Sequence, residues 1–309
     1  MKILFYGGTG YLGSSIISSI KSDHEIKIIT RKNLKQKKSK NIVFLNQFND
    51  KKKILKEIVN ADLFIFSNGP SFRNSKKELY QYISFFQEEI DLIKSNKKKN
   101  SKIIYFSTIH VYENKTVKKP NYASLNSSKS HYAIRNRICE NILLQKFIKH
   151  RNELQILRLA NIFGVAKNYK LNLTNQMFNL AINQFCLKSI KGEAIHLYSS
   201  KKEKRNYVSI NDFINFFIES FINRKIKFPP IINYASNNSI SNDRVLKILV
   251  SEVKKLIKKT PKIRFLNKFK NSKINYNFDI KEIDQMGLRP KISIKNEIKN
   301  SLKKIYALI

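Results

Sequence analysis

The first fourteen residues constrain this chain more than any others. They read as a short apolar strand, Ile3-Leu4-Phe5-Tyr6, running directly into Gly7-Gly8-Thr9-Gly10-Tyr11-Leu12-Gly13. Apolar residues then recur with helical spacing at Leu12, Ile16, Ile17 and Ile20. The glycines have separate jobs in a strand–turn–helix. Gly7 permits the tight turn, Gly10 removes a Cβ that would clash with phosphate, and Gly13 lets the helix pack on the strand. With the N–H groups of the first helical turn, such a loop accepts a pyrophosphate. Gly7, Gly10, Tyr11, Leu12 and Gly13 are therefore the expected dinucleotide contacts.

The chain has 309 residues and 42% hydrophobic content, enough for one large or two modest domains with a proper core. No run approaches the roughly eighteen apolar residues of a membrane span, so no membrane partner is expected. The N-terminal stretch does not read as a signal peptide, and the cytoplasm is the expected location. Cys139 and Cys186 stand apart from any CxxC or Cys/His cluster, which suggests neither a disulfide framework nor a metal site. The formal charge is +38, from 60 basic and 22 acidic residues. The lysines are spread along the whole length among Ile and Asn, which favours a solvated surface over a nucleic-acid groove.

Apolar strand-like runs at 2–6, 25–30, 41–45, 63–66, 102–106 and 154–159 alternate with helical patterns at 51–59, 75–95 and 130–148. That alternation predicts an α/β fold with a doubly wound parallel sheet of the Rossmann kind, covered on both faces. The second half is mixed, with helices expected at 172–185, 211–222, 241–258 and 293–305 and strands near 194–198 and 231–235. The expected organisation is a dinucleotide-binding domain over 1–165. A smaller α/β substrate lobe over 166–309 returns segments to the sheet.

The chemistry-bearing residues cluster at strand ends. The second strand ends in Thr30-Arg31-Lys32. An acid there would bind a ribose 2′-hydroxyl and an arginine a 2′-phosphate, so Arg31 favours NADP(H) over NAD(H). The fourth ends in Asn68-Gly69-Pro70, a breaker cluster at the carboxyl edge where cofactors bind. The fifth ends in Ser107-Thr108-Ile109-His110-Val111-Tyr112, and a helix begins near His131-Tyr132.

With these motifs the chain resembles the extended short-chain dehydrogenase/reductases, the NAD(P)-dependent nucleotide-sugar epimerase/dehydratase family. The family carries a glycine-rich start, S-[ST]-x-x-V-Y at a strand end, and Y-x-x-x-K followed by a glutamate four residues later. By that resemblance Thr108 hydrogen-bonds the reacting sugar oxygen, Tyr132 is the acid/base and Glu140 is the helix glutamate. A hydroxyl in the position of Thr108 can also simply cap a strand end. Asn136 stands where the family has lysine. It could keep the hydrogen bond to the nicotinamide ribose but supplies no charge to the tyrosine. Arg135 and Arg137 flank it, each about 100° around the helix.

The resemblance continues through Arg158-Leu-Ala-Asn161-Ile-Phe-Gly164, which places Asn161 toward substrate. In Arg205-Asn-Tyr-Val-Ser-Ile-Asn-Asp212 it makes Arg205 the clamp on a substrate pyrophosphate. Tyr276-Asn-Phe-Asp279 with Met286-Gly-Leu-Arg-Pro290 resembles the family's C-terminal segment. His110 is expected to line the pocket. The pattern from Tyr132 to Arg137, with His110-Val-Tyr112, is also similar to lysine-less members found in surface-polysaccharide gene clusters.

The implied function is an NAD(P)-dependent 4-epimerase or 4-ketosugar reductase acting on a nucleotide-diphosphate sugar in polysaccharide biosynthesis. Ile109-His110 after Thr108 disfavours dehydration. The alternative is a non-catalytic dinucleotide-binding or RNA-associated member of the same fold. A homodimer is one possible assembly.

Overall fold

The computed structural model describes residues 1–20, 23–31, 33–34, 41–69, 76–112, 130–166, 175–266 and 277–309. Its elements begin with β1 (Lys2–Tyr6), α1 (Tyr11–Ile17), β2 (Glu25–Thr30), β3 (Ile42–Asn46) and α2 (Lys51–Asn60). They continue with β4 (Leu63–Phe66), α3 (Lys76–Asn96), β5 (Lys102–Thr108), α4 (His131–Lys146) and β6 (Leu154–Leu159). In β1, Ile3, Leu4, Phe5 and Tyr6 are all buried, as a strand covered on both faces requires.

The chain divides into two compact units. The first comprises Met1–Glu113, Ser124–Leu159 and Ile226–Ile232, and the second Asn114–Ala123, Ala160–Lys225 and Asn233–Ile309. The second unit starts with β7 (Asn161–Phe163), α5 (Ala181–Lys191), β8 (Ile195–Leu197), β9 (Lys204–Arg205), β10 (Tyr207–Ser209) and α6 (Ile210–Phe217). After β11 (Ile231–Tyr234), whose first two residues belong to the first unit, it ends with β12 (Ile240–Ser241), α7 (Asn242–Ile257), β13 (Ile263–Phe265), α8 (Lys281–Gln285) and α9 (Ile294–Tyr306).

Seven strands form one sheet in the order β11-β6-β5-β4-β1-β2-β3. Its ladders are parallel, with Phe5 opposite Ile28 on one side and Ile65 on the other. At the β11 edge, Ile156 N–H donates to the Pro230 carbonyl and Ala160 N–H to that of Tyr234, a step of four residues on both strands. The order reverses direction between β1 and β4, the place where such sheets open a crevice at their carboxyl ends. One face carries Leu4, Tyr6, Phe64, Phe66 and Tyr105, packed against Phe86, Ile90 and Ile93 of α3 and Cys139 and Leu143 of α4. Tyr6 stacks on Phe66 at 4.4 Å and donates its hydroxyl to Glu89 at 2.7 Å, which satisfies a phenol buried in the core.

In the second unit α5, α7 and α9 pack together, and short ladders pair β7 with β10, β8 with β13 and β9 with β12. The helix expected over 172–185 begins later than its pattern suggested. Residues 167–174 lie outside the described residues, Asn175–Asn179 makes a single 3-10 stretch, and α5 starts at Ala181. The helix expected over 211–222 divides into α6 and a π-helical stretch, Ile218–Asn223.

Candidate active site

The glycine turn is built by close approach. Gly7 has φ +84°, and a Cβ there would meet the Asn68 backbone nitrogen at 2.6 Å. A Cβ on Gly13 would overlap the Gly7 carbonyl oxygen, so α1 packs against the end of β1 only because residue 13 has none. Gly10 N–H donates to the Gly7 carbonyl at 3.0 Å, and Gly10 then serves as the N-cap of α1. Tyr11 is buried and Leu12 half-buried in the first turn. A residue without a side chain at that cap leaves the turn open to a phosphate group, so the residues present fit a dinucleotide.

The exit of β4 is laced to this turn. Ser67 N–H donates to the Tyr6 carbonyl at 2.9 Å and its hydroxyl to that of Gly7 at 3.1 Å. Tyr82 of α3 donates its hydroxyl to the Asn68 carbonyl at 2.9 Å. Gly69 follows at φ +149°, and Pro70 lies outside the described residues. At the end of β2, Thr30 is buried and Arg31 exposed, while Lys32 lies outside the described residues.

At the end of β5, Ser107 and Thr108 are both buried. The Thr108 hydroxyl oxygen accepts from the His110 N–H at 3.2 Å and so caps the 3-10 turn Ile109–Val111. Its own O–H proton can still be donated. Ser107 donates to Glu140 at 2.5 Å, and Glu140 also receives Arg158 through Nε at 3.0 Å and Nη2 at 2.7 Å. Arg158 Nη1 reaches the Tyr112 hydroxyl at 2.8 Å. Burial disfavours the Arg158 cation, but Glu140 more than offsets this and holds its pKa above the usual arginine value. Glu140 and Arg158 thus form a buried brace joining α4, β5 and β6.

Tyr132 is half-buried in the first turn of α4, where Ser130 caps the helix by accepting from the Ala133 N–H at 3.1 Å. The His110 ring lies 6.4 Å from the Tyr132 ring and nearly perpendicular to it. Tyr132, Thr108 and His110 are thus assembled in one unit with the glycine turn. Asn136 is placed differently from the ribose contact expected of it. It is 1% exposed, its Nδ2 donates to the Tyr132 carbonyl at 2.9 Å, and its Oδ1 accepts from the Tyr105 hydroxyl at 2.9 Å.

Arg135, about 100° around the helix from Asn136, still brings its charge to Tyr132. Its guanidinium lies over the ring of Tyr132, 5.3 Å from the centroid, and over that of Tyr82 at 5.1 Å. Arg137 remains partly exposed. The signal was present in the sequence. Residues three apart are helix neighbours, and a long side chain carries its head far from its own Cα direction. No spacing rule singles out Tyr82, which arrives from another helix.

Asn161 and Arg205 belong to the second unit. Asn161 donates through Nδ2 to the Asn206 carbonyl at 2.8 Å, and its N–H donates to the same oxygen at 3.1 Å. Arg205 pairs with Glu203 at 2.7 Å, and its side chain is 37% exposed. Tyr276 lies outside the described residues. Among the described residues, no three His, Cys, Asp or Glu side chains group as a metal site would need. None of the described helices is long and apolar enough to cross a membrane.

A model of the NAD dependent epimerase/dehydratase family matches residues 3–230. Comparison with curated protein sequences returns no match. Among solved structures, the chain is similar to a UDP-glucuronic acid 4-epimerase from Bacillus cereus, in complex with UDP-glucuronic acid and NAD. The identity is 18%, the TM-score 0.79, and 100% of each chain is covered. It is similar also to a UDP-N-acetylglucosamine 4-epimerase from Methanobrevibacter ruminantium, at 19% identity and TM-score 0.78, covering 100% of this chain and 99% of that one. A dTDP-glucose 4,6-dehydratase from Bacillus anthracis matches at 15% identity and TM-score 0.76, over 100% and 96% of the two chains.

Proposed function

The chain belongs to the NAD-dependent epimerase/dehydratase family, and from that membership we propose that it moves a hydride at C4 of a nucleotide-diphosphate sugar, as a 4-epimerase or 4-ketosugar reductase. The observation that carries this reading is the assembly of Tyr132 with Thr108 and His110 in the unit that holds the glycine turn. Two of the solved structures similar to the chain are 4-epimerases of UDP-sugars, which supports the substrate class.

When bound, the nicotinamide supplies hydride acceptance and return. Tyr132 takes the proton of the C4 hydroxyl during oxidation and gives it back during reduction. Thr108 donates its hydroxyl proton to the same sugar oxygen while its own oxygen accepts from the His110 N–H. Ile109 and His110 stand where a dehydrating acid/base pair would be required, so elimination is not assigned. Arg205 is assigned to the substrate pyrophosphate, retaining Glu203 as a partner, and Asn161 to the substrate. Arg31 at the end of β2 supports NADP(H), whereas the solved UDP-glucuronic acid 4-epimerase holds NAD. Both cofactors therefore enter the test. A place in surface-polysaccharide biosynthesis rests on the sequence resemblance alone.

The test incubates the protein with UDP-glucose, UDP-N-acetylglucosamine or UDP-glucuronic acid and either cofactor, and follows C4 configuration by NMR. The 4-keto reductase arm follows NAD(P)H absorbance with a 4-ketosugar nucleotide. Turnover that Tyr132→Phe abolishes, with cofactor affinity retained, is the expected result. Tight dinucleotide binding without turnover on any of these substrates would overturn the catalytic reading.

A further inference from the structure

Arg135 is 4% exposed, a position that charged side chains occupy only when paired. Among the described residues no carboxylate lies within ion-pair distance of it, and its Nε is buried without a hydrogen-bond partner. Its surroundings are phenols and a thiol: Tyr82 of α3, Tyr105 of β5, and Tyr132 and Cys139 of its own helix. Burial pushes Tyr82 and Tyr105 above the usual phenol value and Cys139 up to about 12, so these three stay neutral and do not compensate the cation. A buried guanidinium left uncompensated is costly unless an anion comes to it. Guanidinium cannot solve the problem by losing its proton.

The backbone makes room for it. A Cβ on Gly69 would overlap Arg135 Nη1, so the residue after Asn68 must lack a side chain for the guanidinium to sit where it does. Asn68 in turn abuts Gly7, so the loop that makes room for the cation is the one that packs on the glycine turn, and the Tyr132 ring lies against the same guanidinium. Of these neighbours Tyr132 is the half-buried one, with His110 as the other titratable ring facing it.

We propose that Arg135 supplies, from three residues along the helix, the fixed positive charge beside the acid/base tyrosine that this chain lacks at position 136. It acts through Tyr132, as a positioning residue. When Tyr132 releases its proton, the phenolate becomes the missing counter-ion of a cation already in place. Asn136, bonded to Tyr105 and to the Tyr132 carbonyl, holds the helix turn that presents both side chains. The inference deepens the proposed function and rests on Tyr132 handling the proton.

The experiment compares Arg135→Met, Arg135→Lys and the double variant Arg135→Met with Asn136→Lys by two readouts. One is alkaline titration of phenolate absorbance, restricted to the component that Tyr132→Phe removes. The other is the acid limb of the pH profile for sugar oxidation. An opposite charge nearby shifts an ionisation by roughly 1–3 units. In Arg135→Met both readouts should move to higher pH by about one unit or more. Arg135→Lys should stay near the parent, and the double variant should return toward it. Arg135→Gln replaces Arg135→Met should the latter not fold by circular dichroism. Unchanged titration in the charge-free variant overturns the proposal, and so does an Arg135→Lys that behaves like it, since that is the signature of packing alone. Absence of turnover in the parent, with the absorbance component still shifting, would instead refute the enzymatic reading and leave the charge relationship standing.

Discussion

Arg158 and Glu140 face each other through two hydrogen bonds of 3.0 and 2.7 Å, with side chains 2% and 1% exposed. The pair, with Ser107, fixes α4 against the ends of β5 and β6, so the seating of Tyr132 on α4 depends on it.

Removing one partner leaves the other charge buried. Arg158→Met should cost about 3–5 kcal/mol of unfolding free energy, measured by urea denaturation. The double change with Glu140→Leu should cost clearly less than the two single changes added together. Strict additivity would show that the two side chains do not act as a pair.

Gly13→Ala should abolish dinucleotide binding in a fluorescence titration while the far-ultraviolet spectrum stays native. The added methyl overlaps the Gly7 carbonyl oxygen and forces α1 away from the turn. Unaltered affinity would mean that cofactor binds elsewhere.

Arg31→Asp should weaken NADPH by about 2 kcal/mol, roughly thirtyfold, the scale of a charged hydrogen bond. NADH should be spared, because only the 2′-phosphate distinguishes them at this strand end. Equal losses on both cofactors would remove Arg31 from the 2′-phosphate.

Glu297 gives a pH signature with a definite sign. Burial raises its carboxyl pKa, with the donors Ser209 and Asn211 only partly offsetting the effect. An acid whose folded pKa is raised binds its proton more tightly when folded. Its contribution to stability is therefore full at low pH and is lost as pH rises toward the folded pKa. Glu297→Gln removes that dependence. Relative to the parent, the variant should gain stability as pH climbs from the ordinary glutamate range to neutrality, as thermal unfolding at several pH values would show. A difference that is flat with pH would refute the shift.

The parallel sheet was legible because its strands are continuous apolar runs, and β1, β2, β4 and β6 fall where their patterns end. The glycine turn was legible because only glycine tolerates what Gly7 and Gly13 do. Less could be read where contacts join distant residues. The seating of Asn161 on Asn206, across 45 positions, leaves no periodic trace. The reach of Arg135 is hidden for another reason, since helical angle locates a Cα and not the end of a long side chain. Nothing in the spacing around Asn136, which could have kept a ribose hydrogen bond, announces that Tyr105 of β5 claims its oxygen.

Gly164 has φ +106°, and a Cβ there would overlap the Glu297 carboxylate. Glu297 accepts from Ser209 at 2.6 Å, a bond that spans 88 positions. During synthesis, the segment around Gly164, Ser209 and Asn211 therefore leaves the ribosome long before the acid that completes it. The second unit cannot satisfy its central polar groups until translation has passed residue 297. Its folding should thus be a late event, and a nascent chain stalled before α9 should be a ready target for chaperones and proteases while the first unit's sheet is already assembling.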